Sequence, residues 1–503
     1  MMNKHVKDNA SLLYVILNLL ALGLFAVFVP YKVKGIKFDS MLNLWALPVF
    51  LIASALILLS INKKVFKWLL FPLLLCTLFA YDMSAPEAWI DAKGDWITAE
   101  RFMPENVKHS LKNYSASSAA NILGDPQALK RAEQYAEFLP FYPVLERLKY
   151  VGEGAIKIDN DRCSHHPPLY FIILGSWLSL DNSVWGMKIF AKFMLLIYLI
   201  LIQRIFMMML KKSEEKSWMS LTVILSPAIL CASQAPKNDL LLGIFTAGLV
   251  IALLSRGAKR DIGSHLLIGS LAALCVFTKF TALLLVLPIV ALYTYWHGRR
   301  VLQYLALVAL PVVVLGIVSY LLFGYDIVLN IIIGRIVQDR WIAANTGALS
   351  FIWQRVIFGQ YRVGIPLVIM LLYSLFYVFM GRRRNSDVWR IFSQTALHKS
   401  LNEVGMSTAS IPKKLMQKKM GISPIVLSIC VTFYFSIFLL LWGSSVDRHQ
   451  IGFLPFAIPI LTLGFLRFQH LKGFILSLMI SYNLLFIVYS IFENSIEFEH
   501  LIF

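Results

Sequence analysis

Charge is what this chain has least of. Only 15% of its 503 residues are charged, against 58% hydrophobic, and the mean hydropathy is +0.70. A soluble domain of this length cannot cover its surface with so few polar side chains, which excludes the ordinary globular class and leaves a polytopic membrane protein. Acid is scarcer than base: Asp and Glu number 28 against 47 Lys and Arg, for a net charge of +19. The basic residues sit mainly in short loops between apolar runs, where they anchor topology against a cytoplasmic leaflet, so the excess does not argue for a nucleic-acid partner. Cysteine is nearly absent. Cys76, Cys231, Cys275 and Cys430 fall inside or at the edge of apolar runs and only Cys163 is clearly in a polar loop, which excludes an intraloop disulfide framework. There is no Walker phosphate loop, dinucleotide fingerprint or paired CxxC, so an ATP-driven pump is disfavoured. Porin-like alternation, internal repeats and low-complexity tracts are missing too.

What the chain has in abundance is apolar run after apolar run. Lipid offers backbone groups no hydrogen-bond partner, so each run must be a helix. The expected spans are 11–30, 42–61, 66–81, 187–208, 218–233, 240–255, 265–278, 280–296, 304–323, 363–380, 424–442, 451–466 and 473–492. The fold class is therefore all-α and polytopic, with about 13 transmembrane helices. The first run is followed by Pro30-Tyr31-Lys32 rather than a small-residue cleavage site, so it reads as a retained span. Residues 1–65 form extra N-terminal spans, 66–380 a core that includes an outer loop at 82–186, 381–420 a basic loop and 421–503 the C-terminal spans.

Lysine and arginine bias sets the sidedness. The basic connections at 62–67, 211–216, 256–260, 297–300 and 381–420 alternate as cytoplasmic, and 381–420 carries nine Lys or Arg against two acids. The connections at 232–239, 278–280, 324–362 and 443–450 then share the outer side with the large loop, while Lys32, Lys34 and Lys37 are a local violation. Residues 167–180 are too short to cross comfortably and would invert every later loop if they did. They read as a juxtamembrane or re-entrant helix opened by Pro167-Pro168.

The polar segment 82–166 holds 13 of the 28 acidic residues. A turn at Lys93-Gly94 presents Asp95 at a helix start, where its carboxylate caps backbone N–H groups or acts as a general base toward an acceptor hydroxyl or amine. Trp89 and Trp96 offer faces for a sugar ring. Asp82 and Asp91 can take the same role as Asp95. The interiors of the spans are nearly free of Asp and Glu, whereas Lys237, Lys279 and Arg448 fall at outer helix ends. That distribution suits a reaction at the membrane surface better than a pathway through it. Each cation alone can be a snorkelling interfacial side chain.

Five features occur in one order: an Asp-containing first outer loop, His166-Pro167-Pro168-Leu169-Tyr170-Phe171, Pro236-Lys237-Asn238-Asp239, Thr278-Lys279-Phe280-Thr281, and Asp447-Arg448-His449 leading into Phe453-Leu454-Pro455. Together, over roughly 66–466, they resemble the GT-C superfamily of polyprenyl-phosphate-sugar-dependent glycosyltransferases, in particular the protein O-mannosyltransferases and lipid A aminoarabinose transferases. The resemblance implies transfer of a sugar from a lipid-linked phosphate donor to a lipid, glycan or protein acceptor on the outer face. It implies a first-loop Asp as base, for which Asp95 in Gly94-Asp95-Trp96 matches best. The chain departs from the family in two spans ahead of the usual first helix and in lacking a Glu after that Asp, which leaves Asp82 and Asp91 open.

The chemistry fits those residues. A lipid phosphate leaving group gathers negative charge that Lys237, Lys279, Arg448 and His166 could stabilise, with Tyr170, Trp96 and Trp89 as substrate contacts. Asp159, Asp161, Cys163, His165 and His166 form a dense set of candidate ligands for a divalent metal; their spacing matches no strong zinc pattern, His166 before Pro167 is more simply a helix-entry or phosphate-contact residue, and transfer of this type can proceed without a metal. The expected setting is a bacterial inner membrane with the loop facing the periplasm. A lipid-linked-glycan flippase or other polytopic carrier is the competing class, with a glycan- or protein-binding envelope component as a third. A carrier would keep its essential charges in the bundle interior, and an enzyme at the outer surface.

Overall fold

A computed structural model describes residues 95–104 in part, 118–152, 167–209, 237–256, 261–293 in part, 301–336 in part and 451–458 in part. Every regular element among them is helical, with no strand among the described residues. In chain order these are α1 (Ser118–Leu123), α2 (Pro126–Phe138), α3 (Val144–Gly152), α4 (Leu169–Leu178), α5 (Val184–Met209), α6 (Asn238–Arg256), α7 (Ile262–Thr278) and α8 (Val301–Phe323). Short helical stretches occur also within 95–100, 282–293, 328–336 and 451–458. The expected spans at 1–81, 218–233, 363–380, 424–442 and 473–492 lie outside the described residues, as does the basic loop 381–420.

Helices α5 to α8 form where long apolar runs leave the backbone no partner but itself. Two stretches are long and apolar enough to cross a bilayer, Ile189–Met209 and Asn238–Ser255. Leu169–Leu178, Ile262–Thr278 and Ala306–Leu322 are shorter apolar helices. Helix α7 begins at Asp261, whose carboxylate accepts from the Ser264 amide at 2.7 Å and from its hydroxyl at 2.9 Å, satisfying amides that an N-terminus leaves orphaned. Glycine lets α7 and α8 touch: a Cβ on Gly269 would lie 2.7 Å from the Val308 carbonyl oxygen. Close backbone approach of this kind holds helices together where lipid removes the hydrophobic drive.

Helices α1 to α3 make a small polar-faced unit. Asp125 caps α2 by accepting from the amides of Gln127 and Ala128, and Pro126, which has no N–H to waste, opens its first turn. Ala128 and Ala132, four residues apart and so on one face, turn inward with Ile122, Val144, Leu148 and Val151. The other half of this core is Leu329, Ile332, Ile333 and Ile336, from the connection that follows α8. The described parts of the large loop, 118–152, and of the connection after α8, 328–336, thus share one hydrophobic core.

Asp326 fastens that contact. One of its carboxylate oxygens accepts from the amides of Val328 and Leu329, at 3.0 and 3.1 Å, and starts the next helix. The other accepts from the Tyr142 hydroxyl at 2.5 Å and from Arg147 Nε at 3.3 Å. Burial, and then the carboxylate beside it, push the Tyr142 phenol far above its ordinary range. For Arg147 burial works against the charge, but Asp326 and Tyr142 outweigh it and hold the guanidinium's pKa above its usual value.

Helix α4 folds back on α5 as a short hairpin. The Trp177 indole lies 5.6 Å from the Phe190 ring and 5.7 Å from Phe193, and its N–H donates to the Gly186 carbonyl at 2.9 Å. The helix covers Leu169–Leu178, within the expected 167–180, and Pro168 takes the N-cap position.

Candidate functional site

The site is built from helix ends. Helix α7 stops at Lys279, whose backbone is extended, with φ −157° and ψ 126°, and whose N–H closes on the Cys275 carbonyl at 3.1 Å. A cation there lies against the negative end of the helix dipole, and Asp239, in the first turn of α6, lies against a positive end. The two ends come side by side. Lys279 Nζ donates to Asp239 Oδ1, and both side chains are buried, 10% and 4% exposed. Lys237, immediately before α6, is buried as well, and its carbonyl accepts from the Leu240 amide at 3.2 Å. Among the described residues, two ammonium groups and one carboxylate are thus withdrawn from solvent at the joint where α7 ends and α6 begins. In a region of low dielectric such charges interact far more strongly than in water.

Two further segments lie against this joint. Tyr198 of α5 donates its hydroxyl to the Ile451 carbonyl at 3.3 Å, and a Cβ on Gly243 would meet both Ile451 and the Tyr198 ring. A Cβ on Gly452 would lie 2.8 Å from Leu242. The segment that follows Asp447-Arg448-His449 is therefore seated on the first turns of α6, close behind Lys237 and Asp239. On another side Leu169 packs with Val276 and Phe277, the latter two residues before Lys279. Tyr170 is fully buried, its ring edge-on to Phe171 at 5.4 Å.

Asp95 lies in a short helical turn and is 4% exposed. That turn docks on α4, where a Cβ on Gly175 would come 2.5 Å from the Ala99 carbonyl oxygen and 3.0 Å from Phe102 Cβ. It is also pinned from the α4–α5 connection. The Asn182 side-chain oxygen accepts from the Trp96 indole N–H at 2.6 Å, and its amide donates to Glu100 Oε1 at 2.9 Å. Glu100 is itself 6% exposed. One amide thus ties both sides of the turn that bears Asp95, and α4 links that turn to the lysine joint.

Of the residues singled out in the sequence, Lys279 pairs with Asp239 in the first turn of α6 and Lys237 is buried immediately before that turn, while Asp95, Trp96 and Tyr170 lie on or against α4 and its flanking turn. Asp82, Trp89, Asp91, His166 and Arg448 lie outside the described residues, as do Asp159, Asp161, Cys163 and His165. Among the described residues no group of three or more His, Cys, Asp or Glu side chains is placed to hold a metal. Asp239, Asn182, Glu100 and Asp326 are structural partners that composition did not single out. Asp239 had a signal, an acid in a first helical turn two residues after a lysine. Asn182 had none, since its partners are 82 and 86 residues away. No family model, curated protein or solved structure matches the chain. The case for function rests on the side chains themselves.

Proposed function

We propose that the protein is a multi-pass membrane glycosyltransferase of about thirteen spans that moves a sugar from a polyprenyl-phosphate donor to an acceptor on the outer, periplasmic face of a bacterial inner membrane. The observation that carries the proposal is the joint of Lys237, Asp239 and Lys279, where cations 42 positions apart in sequence are withdrawn from solvent at neighbouring helix ends. A phosphate monoester leaving group is the kind of anion that such a site stabilises better as its charge grows. The membrane half of the proposal draws on the two long apolar helices and on exposed apolar stripes, such as Ile189, Phe193, Leu196 and Ile200 on α5.

In the proposed reaction Asp95 takes the proton of the acceptor hydroxyl or amine. The freed electron pair forms the new bond to the anomeric carbon as the bond from that carbon to the phosphate oxygen breaks. The polyprenyl phosphate departs with the electron pair of the broken carbon–oxygen bond, its charge met by Lys237 and Lys279, with Arg448 and His166 as further cations. Attack opposite to the leaving group inverts the anomeric centre. Asp239 keeps the Lys279 ammonium at the joint before the donor arrives. Trp96 borders the base, its indole edge held by Asn182.

The test is incubation of the purified protein, in vesicles, with defined polyprenyl-phosphate sugars and extracts of envelope acceptors. The expected result is acceptor-dependent release of polyprenyl phosphate. Movement of labelled donor lipid across sealed vesicles with no release from any donor would sink the enzyme and favour the carrier.

A further inference from the structure

Phe138 and Phe141 are among the most exposed large apolar side chains described, at 79% and 82%, yet they belong to the polar-faced unit of α1 to α3. They flank the turn Phe138-Leu139-Pro140-Phe141-Tyr142-Pro143, which carries no charged residue. Its backbone is poor in unmet polar groups. Pro140 and Pro143 bring no N–H, Leu139 donates to the Tyr135 carbonyl at 2.9 Å, and Tyr142 donates to the Leu139 carbonyl at 2.9 Å. A turn in this condition enters an apolar medium at far lower cost than an ordinary loop.

Its position is fixed relative to the apolar helix α8. The Tyr142 hydroxyl is bonded to Asp326, three residues past Phe323, the last residue of α8. Arg147 reaches the same carboxylate and lies 5.8 Å from the ring of Tyr320 and 5.5 Å from that of Tyr150. Around these contacts the end of α8 exposes Tyr320, Leu321 and Leu322, at 50%, 74% and 68%, the continuation of a face that includes Val313, Val314, Ile317 and Val318. Tyrosines gathered about an arginine at the end of an apolar helix are the composition of a headgroup-level belt.

From these contacts we infer that the 138–143 turn is a membrane wedge: Phe138 and Phe141 insert into the headgroup and acyl boundary of the outer leaflet. Tyr142 and Arg147 fix its depth through Asp326. The occupant of this apolar patch is the bilayer that covers the exposed face of α8. The inference rests on the membrane half of the proposed function and is independent of its chemistry.

The test uses the full chain with p-benzoylphenylalanine, an aromatic replacement, in place of Phe138, Phe141, Ile317 or Lys130, one position at a time. Each variant is reconstituted in vesicles of phosphatidylcholine and phosphatidylglycerol, irradiated, and digested for mass spectrometry of lipid adducts. Ile317 is the bilayer reference and the exposed Lys130 on α2 the aqueous one. Adducts at positions 138 and 141 should approach the yield at 317 and exceed that at 130 about tenfold, as expected of side chains resting in the acyl boundary. Lipid adducts at 317 but only the aqueous yield at both 138 and 141 would overturn the wedge and leave the membrane assignment standing. Cross-links from 138 and 141 to a second copy of the chain would overturn it in favour of a protein contact. No lipid adduct at 317 would overturn both.

Discussion

Lys279, closing one helix, and Asp239, opening another, form an ion pair that is buried on both sides. Helix dipoles favour each charge where it stands, so the pair stabilises the site while keeping a cation at the joint. Removing one partner leaves the other charge buried without its counterion. Lys279→Met and Asp239→Asn should each therefore destabilise the protein by about 3–5 kcal/mol. The double variant should lose less than the sum, because it strands no partner. Thermal unfolding of the four proteins in detergent gives the cycle, and additive losses would show that the two residues act independently.

Gly175 tests how the base-bearing turn is seated. A methyl group there would meet the Ala99 carbonyl at 2.5 Å, and since that oxygen is backbone, the 95–103 turn must shift bodily. Gly175→Ala should cost about 1–3 kcal/mol in stability, the usual penalty of overpacking. Under the proposed mechanism it should also lower turnover disproportionately, because the displaced turn carries Asp95. Unchanged turnover in a variant with a lowered melting temperature would separate this contact from the chemistry.

Much of the helical scaffold was legible in the sequence, and the reason is physical. The expected spans 187–208, 240–255, 265–278 and 304–323 correspond to Val184–Met209, Asn238–Arg256, Ile262–Thr278 and Val301–Phe323, with ends extended by a few residues or fewer. A long apolar run satisfies its backbone polar groups most readily as a helix, so composition marks these elements, while capping by Asp261 and the break at Lys279 set the two ends of α7. The helices α1 to α3 were less legible, because a polar helix declares itself only through caps and a narrow apolar face, here Asp125-Pro126 and Ala128 with Ala132. Cation positions at helix ends could be read from charge and topology. Their partner Asp239 could be suspected, but the Asn182 bridge and the Asp326 clamp could not, since both join segments that only the folded chain brings together.

The Asp326 clamp should give alkaline pH a specific effect. The Tyr142 phenol is held far above its ordinary value of 10.0 in the folded protein, so between that value and its raised one the unfolded chain has lost a proton that the folded protein keeps. Stability from this group is full below about pH 10 and falls as pH rises beyond it. Tyr142→Phe removes the hydrogen bond, costing about 1 kcal/mol at neutral pH, and removes this titration with it. The difference in melting temperature between wild type and variant should therefore shrink above pH 10. A difference that stays constant from neutral to alkaline pH would assign the phenol no part in the clamp.

Asp95 and Asn182 should fail in different ways. If Asp95 is the base, Asp95→Asn keeps the size of the side chain and removes its proton acceptor, so turnover should fall by about 10²–10⁴-fold. The donor KM should change little, since Lys237 and Lys279 remain in place to meet the phosphate. Asn182→Ala takes away the bonds to the Trp96 indole and the Glu100 carboxylate and leaves the Asp95 side chain in place. It should lower the melting temperature and reduce turnover moderately, while the dependence of turnover on pH keeps its shape, because the base is still present. Polyprenyl phosphate release measured against pH for both variants distinguishes the roles. Near-normal release by Asp95→Asn would remove Asp95 as the base and pass the assignment to Asp82 or Asp91, whereas loss of the acidic limb of the profile in Asn182→Ala would make the bridge part of the titrating machinery rather than its support.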